Sequence, residues 1–249
     1  MPRAAVKKTP RRAQEERREE AMTTILDAAE KLFADHGRDG VTVRMLGDAA
    51  GVAPALIHYY FEDLEGTYRA VFKRKSDVIN QIRNRSMDEY LAAHGGKPTV
   101  AGAFEAFVRP VFETISADPA YWGNYAAIIG FATASRTQGR EYMRAAHDAT
   151  VHRFIELLMK IAPEVPRVEI YLFYHLLSGS LAVTLAQTGR LDSLSRGLCS
   201  STDMMSILEP TIRVFTAGFE ATRAKFAKPK ATRTALQRPT AKSRAGRRA

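Results

Sequence analysis

The stretch that most constrains the fold of this chain is VTVRMLGDAAGVAPALIHYYF, in which a glycine separates two short apolar patterns. Gly51 can end a first short helix, because glycine adopts the left-handed conformation of a tight turn without a steric penalty. Pro54 then stands where the start of a new helix tolerates a missing N–H group. The second helix buries Ile57 and Phe61, four residues apart, and leaves its opposite face uncovered. Such a pair of helices is typical of a DNA-binding helix-turn-helix.

Apolar residues recur at helical spacing along the rest of the chain, and no segment alternates between apolar and polar residues as a half-buried strand does. Asp63 is a good N-cap for one long helix, and the run HGGKP at residues 94–98 breaks that helix. The chain is therefore predicted to be all-α. Besides the helix-turn-helix, we predict a loop over residues 191–202 and helices over residues 15–35, 63–90, 100–117, 120–134, 139–161, 168–188 and 203–226.

The composition disfavours several other classes of protein. The chain has 249 residues, enough for two modules, and no apolar run near the ~18 residues of a transmembrane helix, so we expect no membrane contact. No apolar segment follows the basic N-terminus, so it is not a secretory signal. A single cysteine, Cys199, cannot form an internal disulfide or a cysteine-rich metal cluster, which suits the reducing cytoplasm. We expect a cytoplasmic protein with no metal and no cofactor.

The net charge of +10 is concentrated at the two ends of the chain. Residues 1–12 contain five basic side chains and residues 227–249 contain eight, with no acidic ones in either segment, so the part between them carries −3. Both ends contain few large apolar residues, so burial cannot offset the entropy of ordering them. We predict a disordered basic arm over residues 1–13 and a disordered basic tail over residues 227–249, which either touch DNA phosphates or only keep the protein soluble.

The helix-turn-helix lies within a longer, ordered and gap-free pattern of residues between about 25 and 72. Its members are Ile25, Ala28, Ala29, Leu32, Phe33, Gly37, Val41, Thr42, Leu46, Ala49, Gly51, Val52, Ile57, Tyr59, Tyr60, Phe61, Glu65, Gly66, Ala70 and Val71. This run resembles the DNA-binding end of the TetR family of bacterial transcriptional regulators. The resemblance implies an N-terminal three-helix helix-turn-helix domain over residues 14–64. It also implies a C-terminal helical domain over residues 65–226 that binds a ligand and dimerises.

In this family the second helix of the motif lies in the major groove of double-stranded DNA, at a palindromic operator. Carried over by position, the resemblance implies base contacts from Pro54, Ala55, Leu56 and Tyr59, phosphate contacts from Thr42, His58 and Tyr60, and contacts of either kind from Arg44. Three residues depart from the family pattern, since Ala53 replaces a serine N-cap, Leu64 a lysine and Thr67 a leucine. We expect the basic arm to make up for the lost phosphate attraction, in the adjacent minor groove.

The C-terminal part contains many aromatic residues at helical spacing, which form either a solid core or the lining of a cavity. They are Phe104, Phe107, Trp122, Tyr125, Phe131, Tyr142, His147, Phe173 and Tyr174. The resemblance implies a pocket for a small hydrophobic effector, acyl or aromatic, lined by Phe107, Trp122, Tyr125, His147 and Tyr174. It also implies a homodimer joined by the last two helices, with interface residues Gly179, Leu208, Ile212, Phe215 and Phe219.

The leading hypothesis is a homodimeric, sequence-specific DNA-binding regulator, most often a repressor in this family, that a small effector releases. A second hypothesis is a regulator-like fold that binds DNA largely without sequence preference through its basic tails, as a chromosome-organising protein. An enzyme on an all-α frame is disfavoured because the sequence has no phosphate-binding glycine loop and no histidine near Cys199. His147 and His152 are five residues apart and point to different faces of a helix, so they do not indicate a metal site.

Overall fold

The structure, a computed structural model, describes residues 10–135 and 139–227. These two ranges contain helices and no β-strand, which confirms the all-α prediction. The helices are α1 (Pro10–His36), α2 (Val43–Ala50), α3 (Pro54–Phe61), α4 (Leu64–Ala93), α5 (Val100–Ala117), α6 (Pro119–Ala134), α7 (Gly139–Ile161), α8 (Arg167–Leu185), α9 (Arg190–Ser195) and α10 (Met204–Phe226).

The first helix is longer than the sequence pattern indicated. It begins at Pro10 rather than near residue 15, and Arg11 pairs with Glu15 one turn later at 3.3 Å between Nε and Oε1. The last residues of the predicted basic arm are therefore helical. The rest of that arm, residues 1–9, and the basic tail from residue 228 onward lie outside the described residues.

The loop predicted over residues 191–202 is wrong in its first part, where α9 forms a helix of six residues. Gly189 before it and Gly197 after it both have the left-handed conformation, with φ of 70° and 83°. A helix this short has less than two turns, so it leaves no periodic apolar pattern for the sequence to reveal. The helix before it, α8, ends at Leu185, three residues earlier than predicted, since Gln187 has φ of 46° and cannot continue the helix.

The helix-turn-helix is built as its sequence predicts. The Thr42 hydroxyl oxygen accepts a hydrogen bond from the Met45 N–H at 3.2 Å and caps α2. Gly51 ends α2 with φ of 66°, in the left-handed conformation that glycine adopts without strain. Ala53 precedes α3 without a capping hydrogen bond, as expected for a residue that lacks a side-chain acceptor. Ile57 of α3 is fully buried and fixes this helix against the rest of the domain.

Helix α4 connects the helix-turn-helix to the C-terminal helices. Its 30 residues span about 45 Å, and the Asp63 carboxylate caps its start by accepting from the Gly66 N–H at 2.7 Å. Arg74, in its first half, pairs with α1. Asn84, in its second half, donates to the Thr150 hydroxyl of α7 at 3.1 Å. One rigid rod therefore touches the DNA-binding end and the C-terminal end of the chain.

A buried network of charges ties α1, α4 and α6 together. Lys75 and Glu30 have side chains only 2% and 5% exposed, and the Lys75 Nζ lies 2.6 Å from the Glu30 Oε1. Lys75 also donates to the Tyr121 carbonyl of α6 and lies 3.8 Å from the centre of the Tyr121 ring. The second Glu30 oxygen pairs with the Arg74 Nη2 at 2.5 Å. Each charge thus has an opposite partner, which is the condition under which charges are tolerated inside a protein.

The C-terminal aromatic residues mostly form a solid core. The Phe107 and Phe154 rings are stacked with their centres 4.2 Å apart. Phe173 contacts Phe219 edge to face at 5.0 Å, which packs α8 against α10. Phe131 lies on the surface instead, at 41% exposure. Of the two interpretations offered by the sequence, core packing therefore accounts for most of the set.

The Lys75–Glu30 pair gives a stability prediction. Replacing Lys75 by Met should lower the free energy of unfolding by about 3–5 kcal/mol, because Glu30 loses its most buried partner. Urea unfolding followed by circular dichroism measures the loss. Lys73→Met is the matched control, because Lys73 is exposed and pairs with Asp77 one turn away at 2.7 Å. The control should cost no more than about 1 kcal/mol, and equal losses in both variants would contradict a special role for the buried pair.

Candidate functional site

The outer face of α3 carries the four residues that the sequence assigned to base contacts. Pro54 and Ala55 are exposed at its start, and Leu56 is half-buried. Tyr59 is 77% exposed and follows one turn later on the same side of the helix. A large aromatic side chain with this exposure does not belong to the core, and its hydroxyl can donate or accept a hydrogen bond at a base edge.

The residues assigned to phosphate contacts surround this face. Thr42 is exposed, and its hydroxyl accepts from the backbone of α2, which leaves the O–H free to donate. The His58 Nδ1 donates to the Glu62 carbonyl at 2.8 Å, and Tyr60 is half-buried beside Tyr59, with ring centres 5.1 Å apart. Arg44 is exposed on α2, with its Nε 4.0 Å from the Asp48 carboxylate. The arrangement is compatible with contacts to DNA, and each assignment stays a prediction.

A basic groove next to α3 was not foreseen from the sequence. It has a volume of about 410 Å³ and lies between the start of α1 and the end of α3. Its lining residues are Arg11, Gln14, Glu15, Arg17, Arg18, Tyr59 and Tyr60. Arg17 and Arg18 lie within the predicted helix 15–35, but Arg11 was placed in a disordered arm, so the sequence analysis did not bring these arginines together. The seven-residue spacing between Arg11 and Arg18, which is two helical turns, is the signal that could have found this groove.

The C-terminal helices form a small, partly open cavity of about 40 Å³. It is lined by Arg83, Phe107, Ile129, Thr133, Met143, His147, Val151, Tyr174, Ser178, Leu181, Ala182 and Leu185. Three of the five predicted pocket residues are therefore brought together here. Trp122 and Tyr125 are not part of this lining. Trp122 lies near the buried Lys75, whose Nζ is 5.5 Å from the centre of its ring, and Tyr125 packs against Phe72 with ring centres 6.3 Å apart.

The polar groups at this cavity are strongly affected by burial. Burial, together with the positive charge of Arg83, lowers the pKa of His147 to about 3, so the imidazole is neutral at physiological pH. The Asn80 Nδ2 donates to the Ala146 carbonyl at 2.5 Å, which leaves its Oδ1 to accept from the His147 Nδ1 at 3.0 Å. Burial also lowers the pKa of Arg83, which faces the Tyr174 hydroxyl. Arg83 is the cavity residue that the sequence analysis missed.

Most residues predicted to form the dimer interface lie inside the protomer. Leu208, Ile212 and Phe219 are buried within the chain, where α10 packs against α5 and α8, and Phe215 is half-buried beside Phe173. The apolar stripe of α10 is therefore its inner face in the protomer, and of the five predicted interface residues only Gly179 is exposed. The sequence could not distinguish an apolar face that covers a neighbouring helix from one that covers a partner.

A different apolar surface lies on α8. Its outward side chains are Val168, Tyr171, Leu172, Leu176 and Val183, which are 43–68% exposed, and they line one side of the helix together with Gly179. Their spacing of three, four or seven residues gives a continuous stripe. By length and composition alone α8 could cross a membrane, which the sequence analysis did not expect, although its other side packs against α6 and α7. A large apolar stripe on a helix of a folded protein marks a surface for association.

Two family profiles match the chain. The profile of bacterial regulatory proteins of the tetR family matches residues 25–71, from the middle of α1 to the first turns of α4. The profile described as tetracyclin repressor-like, C-terminal domain, matches residues 105–218. The chain belongs to the TetR family of bacterial transcriptional regulators. The family predicted from the helix-turn-helix pattern is thereby confirmed. The second profile extends the TetR match to the helices that form the cavity.

Two proteins described as HTH-type transcriptional repressors are similar to this TetR-family chain. AcnR of Corynebacterium glutamicum is 34% identical over 61 residues, which are 23% of this chain and 32% of AcnR. Rv1474c of Mycobacterium tuberculosis is 25% identical over 132 residues, which are 50% of this chain and 68% of Rv1474c. The chain thus spans about a third of the first relative and about two thirds of the second.

Solved structures of other regulators have the same fold. The fatty acid degradation regulator FadR from Bacillus halodurans superposes with a TM-score of 0.51 at 19% identity, over 84% of this chain and 96% of FadR. HlyIIR, a hemolysin II transcriptional regulator, superposes with a TM-score of 0.54 at 19% identity, over 80% of this chain and 98% of HlyIIR. At this level of identity the similarity concerns the fold alone.

The basic groove and the outer face of α3 give different expectations for how the loss of DNA binding depends on DNA sequence. Arg17→Gln and Arg18→Gln should weaken binding equally on a specific site and on random DNA, because phosphate contacts do not depend on sequence. Each should reduce the salt slope of binding by about 1. Tyr59→Ala should instead cost about 1–3 kcal/mol on the specific site and little on random DNA.

Fluorescence anisotropy of labelled duplexes over a range of salt concentrations measures both effects. Arg144→Gln, at an exposed position on α7, is the control and should bind both DNAs like the wild type. If Tyr59→Ala loses affinity equally on both DNAs, α3 is not the helix that contacts the bases. If the Arg17 and Arg18 variants keep the wild-type salt slope, the groove does not hold a phosphate.

Proposed function

We propose that this TetR-family protein is a homodimeric, cytoplasmic transcriptional repressor. It binds a palindromic operator through α3 and leaves the DNA when a small hydrophobic effector binds among the C-terminal helices. The observation that carries the proposal is the exposed outer face of α3, with Tyr59 at 77% exposure, next to the basic groove of α1. A helix that offers side chains to base edges, flanked by cations for phosphates, meets both requirements of sequence-specific DNA binding.

The chemistry of the α3 face limits which sequences it can recognise. Ala55 and Leu56 can pack against thymine methyl groups but cannot form the paired hydrogen bonds that distinguish guanine. Tyr59 and Arg44 then supply most of the polar contacts to bases. Cations near α3 supply the sequence-independent part of the affinity, and they matter because the chain between the two basic ends carries a net negative charge.

Dimerisation follows from the apolar stripe on α8. A palindromic operator needs two copies of α3 placed about 34–36 Å apart, in successive major grooves. The stripe of α8 is self-complementary in character, since a twofold axis would place the same apolar residues of both protomers against each other. The exposed outer side of α10, which includes Val214 at 61% exposure, can extend this contact. The proposal keeps α8 and α10 as the dimer helices, as predicted from the sequence. The contacting side chains, however, are now mainly those on the outer side of α8.

In this proposal the cavity is the effector site. Helix α4 carries the effect of ligand binding in the cavity to the DNA-binding end. Phe107, His147 and Tyr174 line the cavity, as does Arg83 of α4. About 40 Å³ is far below the 300–1,000 Å³ of a typical ligand pocket, so an effector must move the surrounding helices in order to enter. Any shift of α4 changes the distance between the two copies of α3. A hundredfold loss of DNA affinity requires the effector to favour the off-register state by ~2.7 kcal/mol.

The α8 stripe gives a prediction for the oligomeric state. Replacing Leu172 and Leu176 together by Glu should convert the dimer to monomers, because four buried carboxylates would meet across the twofold axis without partners. Sedimentation velocity measures the outcome. Leu198→Glu is the matched control, since Leu198 is 86% exposed on the loop between α9 and α10 and is not part of the α8 stripe, and it should stay dimeric. A dimer that persists in the double variant would place the interface elsewhere.

The experiment that tests the proposed function has two stages. Random duplexes are enriched on the purified full-length protein, and compounds are then screened for release of the enriched site. The proposal expects an inverted repeat with half-sites about one helical turn apart, or a multiple of it. It also expects a releasing compound that is apolar over most of its surface. Enrichment without a sequence motif, with binding lost when residues 228–249 are deleted, would favour the alternative of a non-specific DNA-binding protein.

A further inference from the structure

The lining of the cavity includes one positive charge that no carboxylate of the described residues pairs with. Arg83, on α4, has its guanidinium 4.4 Å from the centre of the Phe107 ring, and its Nε donates to the Phe107 carbonyl at 3.2 Å. The described part of the chain offers its two Nη groups no hydrogen bond and no carboxylate within ion-pair distance. Lys75, eight residues earlier on the same helix, shows the contrast, because it has Glu30 as a direct partner.

The neighbours of Arg83 are neutral. Tyr125 and Tyr174 stay protonated because burial raises the pKa of both hydroxyls, although the charge of Arg83 opposes this. His147 is neutral as well, and since its Nδ1 donates to Asn80, its Nε2 carries a lone pair. That Nε2 makes no hydrogen bond to the described residues and is shielded from solvent. The cavity therefore presents a single positive charge, the N–H donors of one guanidinium and one unused acceptor.

Arg83 is half-buried, so its guanidinium keeps part of its hydration, while the apolar surroundings of the rest of the side chain lower its pKa. Beyond the hydrogen bond of its Nε, the described residues show no partner for its two Nη groups, so these donors are available to a ligand in the cavity. A guanidinium is the side chain best suited to bind a planar anion through two parallel hydrogen bonds.

We propose that Arg83 binds the carboxylate of the effector, so that the effector is a hydrophobic monocarboxylic acid. This inference rests on the proposed function and names the chemical class of the ligand in the same cavity. One cation matches one negative charge, whereas a phosphate with two charges would bring an excess anion into an apolar site. Most of the remaining lining is apolar, with Ile129, Val151 and Leu181 among the side chains that would contact the hydrocarbon part.

The size of the cavity fits the head group of such an acid. The cavity beside Arg83 offers about 40 Å³, more than the roughly 10–15 Å³ that holds one water molecule, so a carboxylate can enter it. The hydrocarbon part needs additional space, which Met143 can provide because its side chain is unbranched and half-buried. Binding of the acid then acts on α4 directly. Arg83 lies about 12 Å along that helix from Lys75, where α4 is tied to the DNA-binding end.

Calorimetry with matched pairs of compounds tests the proposal. A series of straight-chain carboxylates and a series of aryl carboxylates are each compared with their primary amides, which have the same shape and no charge. Wild-type protein should bind the best acid about tenfold to a hundredfold more tightly than its amide, as expected for a charge-assisted hydrogen bond. In Arg83→Met this preference should disappear, while the affinity for the amide stays within about threefold of wild type.

Two controls separate this site from general effects of charge and folding. Arg85→Met removes an exposed arginine two residues further along α4 and should keep the wild-type preference. Arg83→Met without ligand should unfold within a few degrees of the wild-type temperature, because a half-buried arginine with a single backbone hydrogen bond adds little to stability. Loss of the preference together with a large fall in unfolding temperature would contradict the proposal, since Arg83 would then be a structural residue.

The remaining outcomes also decide the matter. Equal affinity of wild type for acids and amides, retention of the preference in Arg83→Met, or absence of binding by every acid would each overturn the carboxylate assignment. Failure of the proposed function has a different signature. If acids bind with dependence on Arg83 but leave operator binding unchanged, the site stands and the repressor switch does not. If a neutral compound releases the operator and no acid binds, the switch stands and this site does not.

Discussion

The buried pair between Glu30 and Lys75 is the interaction on which the arrangement of the whole chain depends. It joins α1 to α4, and the contact of Lys75 with the Tyr121 carbonyl adds α6 to the same cluster. Ion pairs inside a protein are retained only when geometry and further hydrogen bonds satisfy both charges, so these three helices have little freedom to slide against one another. The helix-turn-helix is consequently held in a fixed position relative to the C-terminal helices. It is not joined to them by a flexible linker.

In the proposed switch, helix α4 connects the effector site to the DNA-binding end. One helix holds the N-cap beside the DNA-reading motif, the buried Lys75 and the cavity residue Arg83. Lys75 and Arg83 differ in one respect, since the described residues place a carboxylate within ion-pair distance of Lys75 and none within that distance of Arg83. A ligand that supplies the missing anion would change the balance of forces on the same helix that orients α3. Rigid helices with a small number of discrete contacts are well suited to carry such a displacement.

The exposed surfaces at the two ends of the protein differ in chemical character. The DNA-facing end exposes arginines and a tyrosine, whereas the far end exposes an unbroken apolar stripe on α8. Polar and charged groups gain from contact with phosphates, and apolar stripes gain from contact with an equal stripe. A dimer joined at the far end leaves both copies of α3 accessible to one face of a DNA duplex. The cavity lies between these two surfaces, in contact with α4 on one side and with α8 on the other.

The sequence by itself determined the all-α class, the helix-turn-helix and most helix boundaries, because these depend on local patterns. Gly51 and Thr42 specify their turn and cap through their own backbone and side-chain chemistry. The structure alone decided which apolar faces are internal. Ile212 and Leu176 are similar in the sequence, yet one packs against α5 and the other is exposed, and only long-range contacts make that difference. The same holds for Arg83, which looks like any surface arginine in the sequence, whereas packing half-buries it among the side chains that line the cavity. Periodicity reports that a face is buried, and tertiary structure decides what buries it.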